Sequence, residues 1–214
     1  MPYPLPDAAG LHPITLPDGS THLGTVHLNR AIQHPRLSIG DYTYASDFDP
    51  PQDWAARLFP YLFPFSQEQV TIGRFCQIAH GVRVLTSSAN HQADGISTYP
   101  FAVMSPGTMP GYQPDTRDTV IGNDVWLGYG AIIAPGACIG NGVIVGAGAV
   151  VRGHIPDYAI ITGNPAQIHK MRFDNPTIAR LNALAWWDWP PEWIAEAAPH
   201  LETADLKKLE ALAP

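Results

Sequence analysis

The sequence predicts a mainly β protein: a parallel β-helix built from six-residue repeats, interrupted by two long loops and finished by an α-helical tail. Three observations carry that expectation. From Ile121 the chain cuts into six consecutive units, IGNDVW, LGYGAI, IAPGAC, IGNGVI, VGAGAV and VRGHIP, led by Ile121, Leu127, Ile133, Ile139, Val145 and Val151. The fifth place of each unit is apolar and mostly small (Val125, Ala131, Ala137, Val143, Ala149, Ile155), and the second is Gly or Ala in five of six. The 214 residues also include 19 glycines and 22 prolines, above the usual ~12% for the pair, which favours many turns over a helical bundle.

A period of six fits neither the spacing of three and four in an amphipathic helix nor the alternation of a long strand. Short strands separated by turns satisfy it. Three units then make one triangular coil, the lead aliphatic and the small fifth residue point inward, and stacked coils pair as parallel strands. Second-place glycines stand where a side chain would crowd the backbone.

In chain order, a single unit begins at Ile39, with Gly40 behind it and Thr43 in fifth place. Residues 45–70 break the period. A second block at 72–89 is led by Ile72, Ile78 and Val84, with Cys76, Val82 and Ser88 in fifth place, so Cys76 reads as a buried small residue and not a reactive thiol. Residues 90–118 break the period again, and excursions of this length usually carry function. After Val151 the repeat fades. A helix is expected from Asn175, with Asn175 as N-cap and Pro176 first in the helix. Pro190 and Pro191 interrupt it, and Thr203 is the expected cap of a short final helix. Trp186, Trp187, Trp189 and Trp193 cluster in this tail, with packing against the coil or a neighbouring subunit as the expected role. The β-helix domain thus covers 1–174, with loops 45–70 and 90–118 inserted, and 175–214 is a helical extension.

Charge narrows the function. Twelve Lys and Arg against 19 Asp and Glu leave a net charge of −7, which excludes a basic nucleic-acid binder. With 45% hydrophobic and 14% charged residues the chain is not a disordered one. Two cysteines, Cys76 and Cys138, make neither a disulfide framework nor a Cys-x-x-Cys metal site. No run approaches the ~18 apolar residues of a membrane span, and the opening MPYPLPDAAG lacks a signal-peptide pattern. The expected setting is the cytoplasm, with no membrane partner.

Several strings are more specific than the repeat: IGDYTY at 39–44, TIGRFCQIA at 71–79, SANHQADGISTYPF at 88–101, GNDVWLG at 122–128, TGNPA at 162–166 and AWWDWP in the tail. In order, over residues 37–200, they resemble the xenobiotic acetyltransferases of the hexapeptide-repeat superfamily, the group containing streptogramin A (virginiamycin) and B-type chloramphenicol acetyltransferases. The resemblance implies a left-handed β-helix, an exception to the right-handed crossover preference. It also implies a homotrimer, acetyl-CoA held between coils of adjacent subunits, and loop 90–118 completing the site for a small hydroxyl acceptor such as an antibiotic.

The resemblance marks His91, in its Asn-His-x-x-Asp-Gly context, as the catalytic base. Imidazole titrates near neutrality, so it can take a proton from a hydroxyl and return it to a departing thiolate. Asn90 and Asp94 flank it and would orient the ring or hold the loop. Tyr44 matches an acceptor-site tyrosine, and Tyr99 stands in the acceptor loop. For acetyl-CoA the matches are Trp126 near the acetyl end, Gly128, Gly146, Ala147 and Gly148 along a thin coil surface, and Pro165 near adenine. Arg152, Lys170, Arg172 and Arg180 gather four of the twelve cations near the nucleotide end. Where the family has a lysine after Pro-Ala this chain has Gln167, which makes Lys170 and Arg172 the expected phosphate contacts. The stretch from Phe101 to Asp118 is shorter than the family loop and rich in Pro and Gly, and Ile96 is an extra residue, so chemistry transfers from the resemblance better than the acceptor does.

Other classes are weaker. A sugar or other metabolite hydroxyl remains an alternative acceptor, since fold does not fix substrate. A hexapeptide metalloenzyme of the carbonic-anhydrase type needs three converging histidines, and His80 and His91 have no closely spaced third partner, with His154 far along the coil. No metal is expected. A non-catalytic scaffold leaves the His91 loop unexplained.

Overall fold

The six-residue period becomes three sheets that the chain visits in turn. In a computed structural model that describes residues 3–105, 107 and 115–214, the strands are β1 (Thr25–His27), β2 (Leu37–Ile39), β3 (Tyr44–Ser46), β4 (Val70–Ile72), β5 (Gln77–Ile78), β6 (Arg83–Val84), β7 (Thr119–Ile121), β8 (Trp126–Leu127), β9 (Ile132–Ile133), β10 (Cys138–Ile139), β11 (Ile144–Val145), β12 (Val150–Val151), β13 (His154–Ile155), β14 (Ala159–Thr162) and β15 (Gln167–Met171). They form a seven-stranded sheet ordered β1-β3-β5-β8-β11-β14-β15, a five-stranded sheet β13-β10-β7-β4-β2 and a three-stranded sheet β12-β9-β6. All pairings are parallel except β1 with β3 and β14 with β15. The antiparallel strands lie at the two ends of one sheet, where they cover the parallel edges that would otherwise offer unpaired backbone.

Inside, the lead residues stack rung on rung. Ile72, Ile121, Ile139 and Ile155 align on one sheet, Ala45, Ile78, Leu127, Val145 and Ile161 on the second, and Val84, Ile133 and Val151 on the third. All twelve are buried, as are the fifth-place residues of the six-unit run. Cys76 is fully buried, and burial pushes its thiol up to about 12. The second block ends differently from its expected pattern: the chain turns into a 3-10 helix at Ser87–Ala89, and half-buried Ser88 has its hydroxyl 2.7 Å from that of Ser66.

The second-place glycines serve close stacking. A methyl at Gly73 would meet the Gly122 carbonyl at 2.6 Å, and one at Gly122 would meet Asn141 N at 2.8 Å. The same corner carries a side-chain ladder in which Asn123, Asn141 and Asp157 oxygens accept from Arg74 N, Asn123 N and Asn141 N.

Among the described residues six α-helices accompany the strands: α1 (Leu28–Ala31), α2 (Trp54–Leu58), α3 (Phe101–Met104), α4 (Asn175–Leu184), α5 (Pro191–Glu202) and α6 (Leu206–Leu212). The excursion between β3 and β4 packs Trp54, Leu58, Phe59 and Leu62 into the main core. In the tail the caps differ from expectation. Asp174 caps α4 by accepting from Thr177 N, leaving Asn175 and Pro176 inside the helix, and Asp205 caps α6, whereas Thr203 donates to Pro199 O at the end of α5. A carboxylate is the better acceptor for free helix N–H groups. The tail lies on the coil: Trp186 packs on Phe75, which stacks on Tyr42, and Trp189 is buried with Ile194, Ala197 and Leu209. Among the described residues no helix is long and apolar enough to cross a membrane.

Candidate functional site

One outward row gathers residues from four parts of the sequence. On the seven-stranded sheet Tyr44 pairs with Gln77, Gln77 with Trp126, Trp126 with Ile144, Ile144 with Ile160, and Ile160 with Lys170. Strands alternate in and out, so Leu127 and Val145 fill the interior while Trp126 remains half exposed. Rungs are ~4.8 Å apart, which puts about 24 Å between the Tyr44 and Lys170 positions and about 14 Å between Trp126 and Lys170. An open groove of about 350 Å³ lies at the Tyr44 end, bordered by Gln77, His80, Trp126 and Tyr129. With Phe48, Trp126 and Tyr129 exposed together, it is an apolar patch of the kind that ligands or partners cover. Burial raises the Tyr44 phenol above its usual range, so it stays protonated and can donate a hydrogen bond.

His91 sits elsewhere, in the excursion that leaves β6 on the three-stranded sheet. Its ring is exposed and its Nδ1 is 2.9 Å from the Thr98 carbonyl oxygen. A carbonyl only accepts, so Nδ1 carries the proton and the Nε2 lone pair faces away from that bond, available as a base. Asn90 is half-buried and its Nδ2 is 3.5 Å from Asp115 O, while Asp94 is exposed. Tyr99 packs on Phe101, and both border a cavity of about 290 Å³ within the loop. The expectations for the Pro- and Gly-rich stretch that fall on residues 106 and 108–114 lie outside the described residues.

The loop's root involves residues that sequence reading missed. Glu68 is buried and accepts from Ser88 N at 2.6 Å, Ser87 Oγ bonds Arg117 N at 2.9 Å, and Asp118 accepts from Gln69 N at 2.7 Å. A lone glutamate before a strand offers no sequence signal for this. Burial would raise the Glu68 carboxyl, but hydrogen bonds from its own backbone, Ser88 and Thr86 outweigh that and hold it below its ordinary value.

The expected cofactor residues separate into two groups. Lys170 is exposed on the row, and Pro165 is exposed in the β14–β15 turn. Ala147 is exposed at the corner beside Tyr129, to whose carbonyl Gly148 N donates at 2.8 Å. Gly128 and Gly146 are accounted for by stacking: a methyl there would meet Val145 O at 2.6 Å or Thr162 Cγ2 at 2.9 Å. Arg172, the other expected phosphate contact, is engaged with the protein. Its Nη1 donates to Gly142 O at 2.6 Å, it pairs with Asp124 at 3.7 Å, and its guanidinium lies 5.4 Å and 5.5 Å from the Tyr158 and Phe173 ring centres. Burial raises the Asp124 carboxyl, and Arg172 opposes that rise, so this guanidinium is committed to the wall beneath the tail. Arg180 is likewise held, in a bidentate pair with Glu210. A cavity of about 260 Å³ under the tail is lined by Asp124, Tyr158 and Arg172 among others, and Arg172 is the one expected site residue among the described residues of its lining. Among the described residues no three His, Cys, Asp or Glu side chains gather as a metal site.

Residues 118–153 match the bacterial transferase hexapeptide family model of six repeats. Over 193 residues the chain is 35% identical to a chloramphenicol acetyltransferase of Agrobacterium fabrum, covering 86% of this chain and 90% of that one. It is 36% identical to an Escherichia coli chloramphenicol acetyltransferase, over 85% and 90% of the two chains. With the virginiamycin A acetyltransferase of Staphylococcus aureus it shares 33% identity over 84% of this chain and 83% of the other. The similarity thus spans most of the chain, which belongs to the hexapeptide-repeat acetyltransferase family that includes the chloramphenicol and virginiamycin A acetyltransferases.

Proposed function

We propose that this protein is an acetyl-CoA-dependent O-acetyltransferase that modifies a hydroxyl of a small xenobiotic, of the chloramphenicol or streptogramin A type, with His91 as general base in a ternary complex. The single observation that carries this reading is the outward row, in which the acceptor-site residue Tyr44, the acetyl-end residue Trp126 and the phosphate residue Lys170 stand in that order on one sheet. An extended acetyl-CoA laid along the row would have its phosphates at Lys170 and its acetyl group in the aromatic groove. The Nδ1–H bond to Thr98 supports His91 in the tautomer a base needs.

In the reaction, His91 Nε2 takes the proton of the acceptor hydroxyl as its oxygen attacks the thioester carbonyl carbon. The tetrahedral oxyanion collapses with loss of the CoA thiolate, and the imidazolium returns the proton to sulfur. Tyr44 positions the acceptor through its phenol, and Asn90 and Asp94 hold the loop. Because His91 leaves from a different sheet than the row, the reading includes a left-handed β-helix assembled as a homotrimer, in which one subunit's loop closes over the row of its neighbour, in the cytoplasm.

The test is CoA-thiol release with acetyl-CoA and a panel of chloramphenicol, a streptogramin A and simple amino sugars. Turnover of an antibiotic by the wild type and a loss of roughly 10²–10⁴-fold in His91→Ala are expected. Normal turnover in that variant sinks the mechanism, and turnover of the amino sugars alone moves the acceptor to the carbohydrate class.

A further inference from the structure

His80 borders the same groove and has a better-held ring than His91. Its Nδ1 lies 2.7 Å from Oδ1 of Asp47, a carboxylate buried in the wall, also held by Asp49 N at 2.8 Å and by Arg57 at 3.8 Å. Phe48 N is 3.2 Å from the same Nδ1. One nitrogen cannot both donate and accept, and a lone pair facing a carboxylate at 2.7 Å is repulsive, so Nδ1–H donates to Asp47. Rings of Phe48 and Tyr129 stack on the imidazole at 4.8 Å and 5.4 Å. Position and tautomer of the ring are therefore set by a carboxylate on one edge and aromatic contacts on its faces, and Nε2 is left without a partner among the described residues.

We propose that His80, fixed by Asp47, is an acceptor-recognition residue: its Nε2 accepts a hydrogen bond from a second donor group, a hydroxyl or amide N–H, on an acceptor whose flat or apolar body lies against Trp126 and Tyr129. The inference rests on the acetyltransfer reading above and narrows its substrate class to small molecules that combine an aromatic or apolar body, the reacting hydroxyl and a second donor. The sequence motifs give no hint of the pair, because its members are 33 positions apart and belong to different coils.

Thiol-release kinetics with the three-acceptor panel, run on wild type, His80→Phe and His80→Gln, test it. For the acceptor that is turned over, His80→Phe keeps a planar ring but no hydrogen-bond acceptor, and should raise that acceptor's KM about five- to tenfold, more than it lowers kcat. The KM for acetyl-CoA should match the wild type, the melting temperature should fall because Phe removes a donor to the buried Asp47 carboxylate, and His80→Gln, which restores an acceptor oxygen, should recover most of the effect on the acceptor KM. An unchanged acceptor KM in folded His80→Phe overturns the proposal and leaves the His91 mechanism standing. If the wild type turns over none of the panel, the acceptor class above fails by itself, and His80 is then judged from its ring nitrogens by 15N NMR. An unprotonated Nε2 that shifts on addition of chloramphenicol or the streptogramin supports the assignment. A protonated Nε2 or an unmoved resonance overturns it.

Discussion

Gly122→Ala asks whether stacked coils meet at backbone contact. A methyl at Gly122 would stand 2.8 Å from Asn141 N and 2.8 Å from Gly140 C on the next coil. Those atoms cannot swing away, because Gly122 N donates to Ile139 O at 2.8 Å and Asn123 N donates to Asn141 Oδ1 at 2.9 Å. Ordinary contact between carbon atoms begins near ~3.5 Å, so the coils must part by about 0.7 Å, and overpacking of this kind costs about 1–3 kcal/mol. The sign makes the test sharp. Gly122 has no positive φ, and at such a site without the clash a Gly→Ala change stabilises by ~0.4–1 kcal/mol through the unfolded chain. For a chain of this size a cost of about 2 kcal/mol lowers Tm by ~4–8 °C. Melting followed by circular dichroism at one fixed protein concentration reads this directly, since assembly makes Tm concentration-dependent. A variant melting with the wild type or above it would refute the close approach of the corners.

Three further outcomes follow from the same geometry. With the Cys76 thiol pushed up to about 12 and buried while Cys138 is exposed, a thiol reagent at pH 8 should label one cysteine per folded chain, Cys138, and two after denaturation; rapid double labelling of the native protein would contradict the closed coil. Glu68 is held below its ordinary 4.5, so the stability it lends the loop root is present above that value and is lost as pH falls through the lower folded one. Glu68→Gln should cost about 1–2 kcal/mol at pH 7 and flatten this acid-side loss in a pH series of melts, and an unaltered acid limb would disprove the role. Arg172→Met leaves Asp124 without its cation and should cost about 1–3 kcal/mol of stability given partial exposure, lowering Tm without changing the KM for acetyl-CoA, whereas Lys170→Met should raise that KM and leave Tm alone. The reverse pattern would restore Arg172 as a phosphate ligand.

The coil was legible because its interior imposes the same demand every six residues: a lead aliphatic and a small fifth residue must fit inside a triangle too narrow for anything else. The turns were less so. The fourth place of the unit adopts a left-handed backbone, at Gly130, Gly136, Gly142 and Gly148 but also at Tyr42, Phe75 and Asp124. Glycine announces that geometry and the other residues hide it, because on their corner a side chain is wanted: Tyr42 and Phe75 stack there and receive Trp186. The antiparallel β1 is hidden for a similar reason. Thr25–His27 has no partner in its own neighbourhood, and pairs with β3 only after the chain has completed half a coil.

The site divides along the same line between local and distant. His91 stands inside a continuous string, and its tautomer is set by Thr98, seven positions on. Tyr44, Trp126 and Lys170 become one row because strands on one sheet recur once per coil, so that residues 82 and 44 positions apart stand two and three rungs apart. Arg172 is the counter-example. Composition places it with the cations near the nucleotide end, but it follows β15 by one residue and folds under the tail, where Gly142 O and Asp124 claim it. A guanidinium engaged with the protein has fewer N–H groups left for a phosphate, and how many depends on what the next coil presents. For the same reason His80 escapes any motif: its Nε2 becomes a fixed acceptor because the Asp47 carboxylate holds the other nitrogen, and that carboxylate arrives from the coil before.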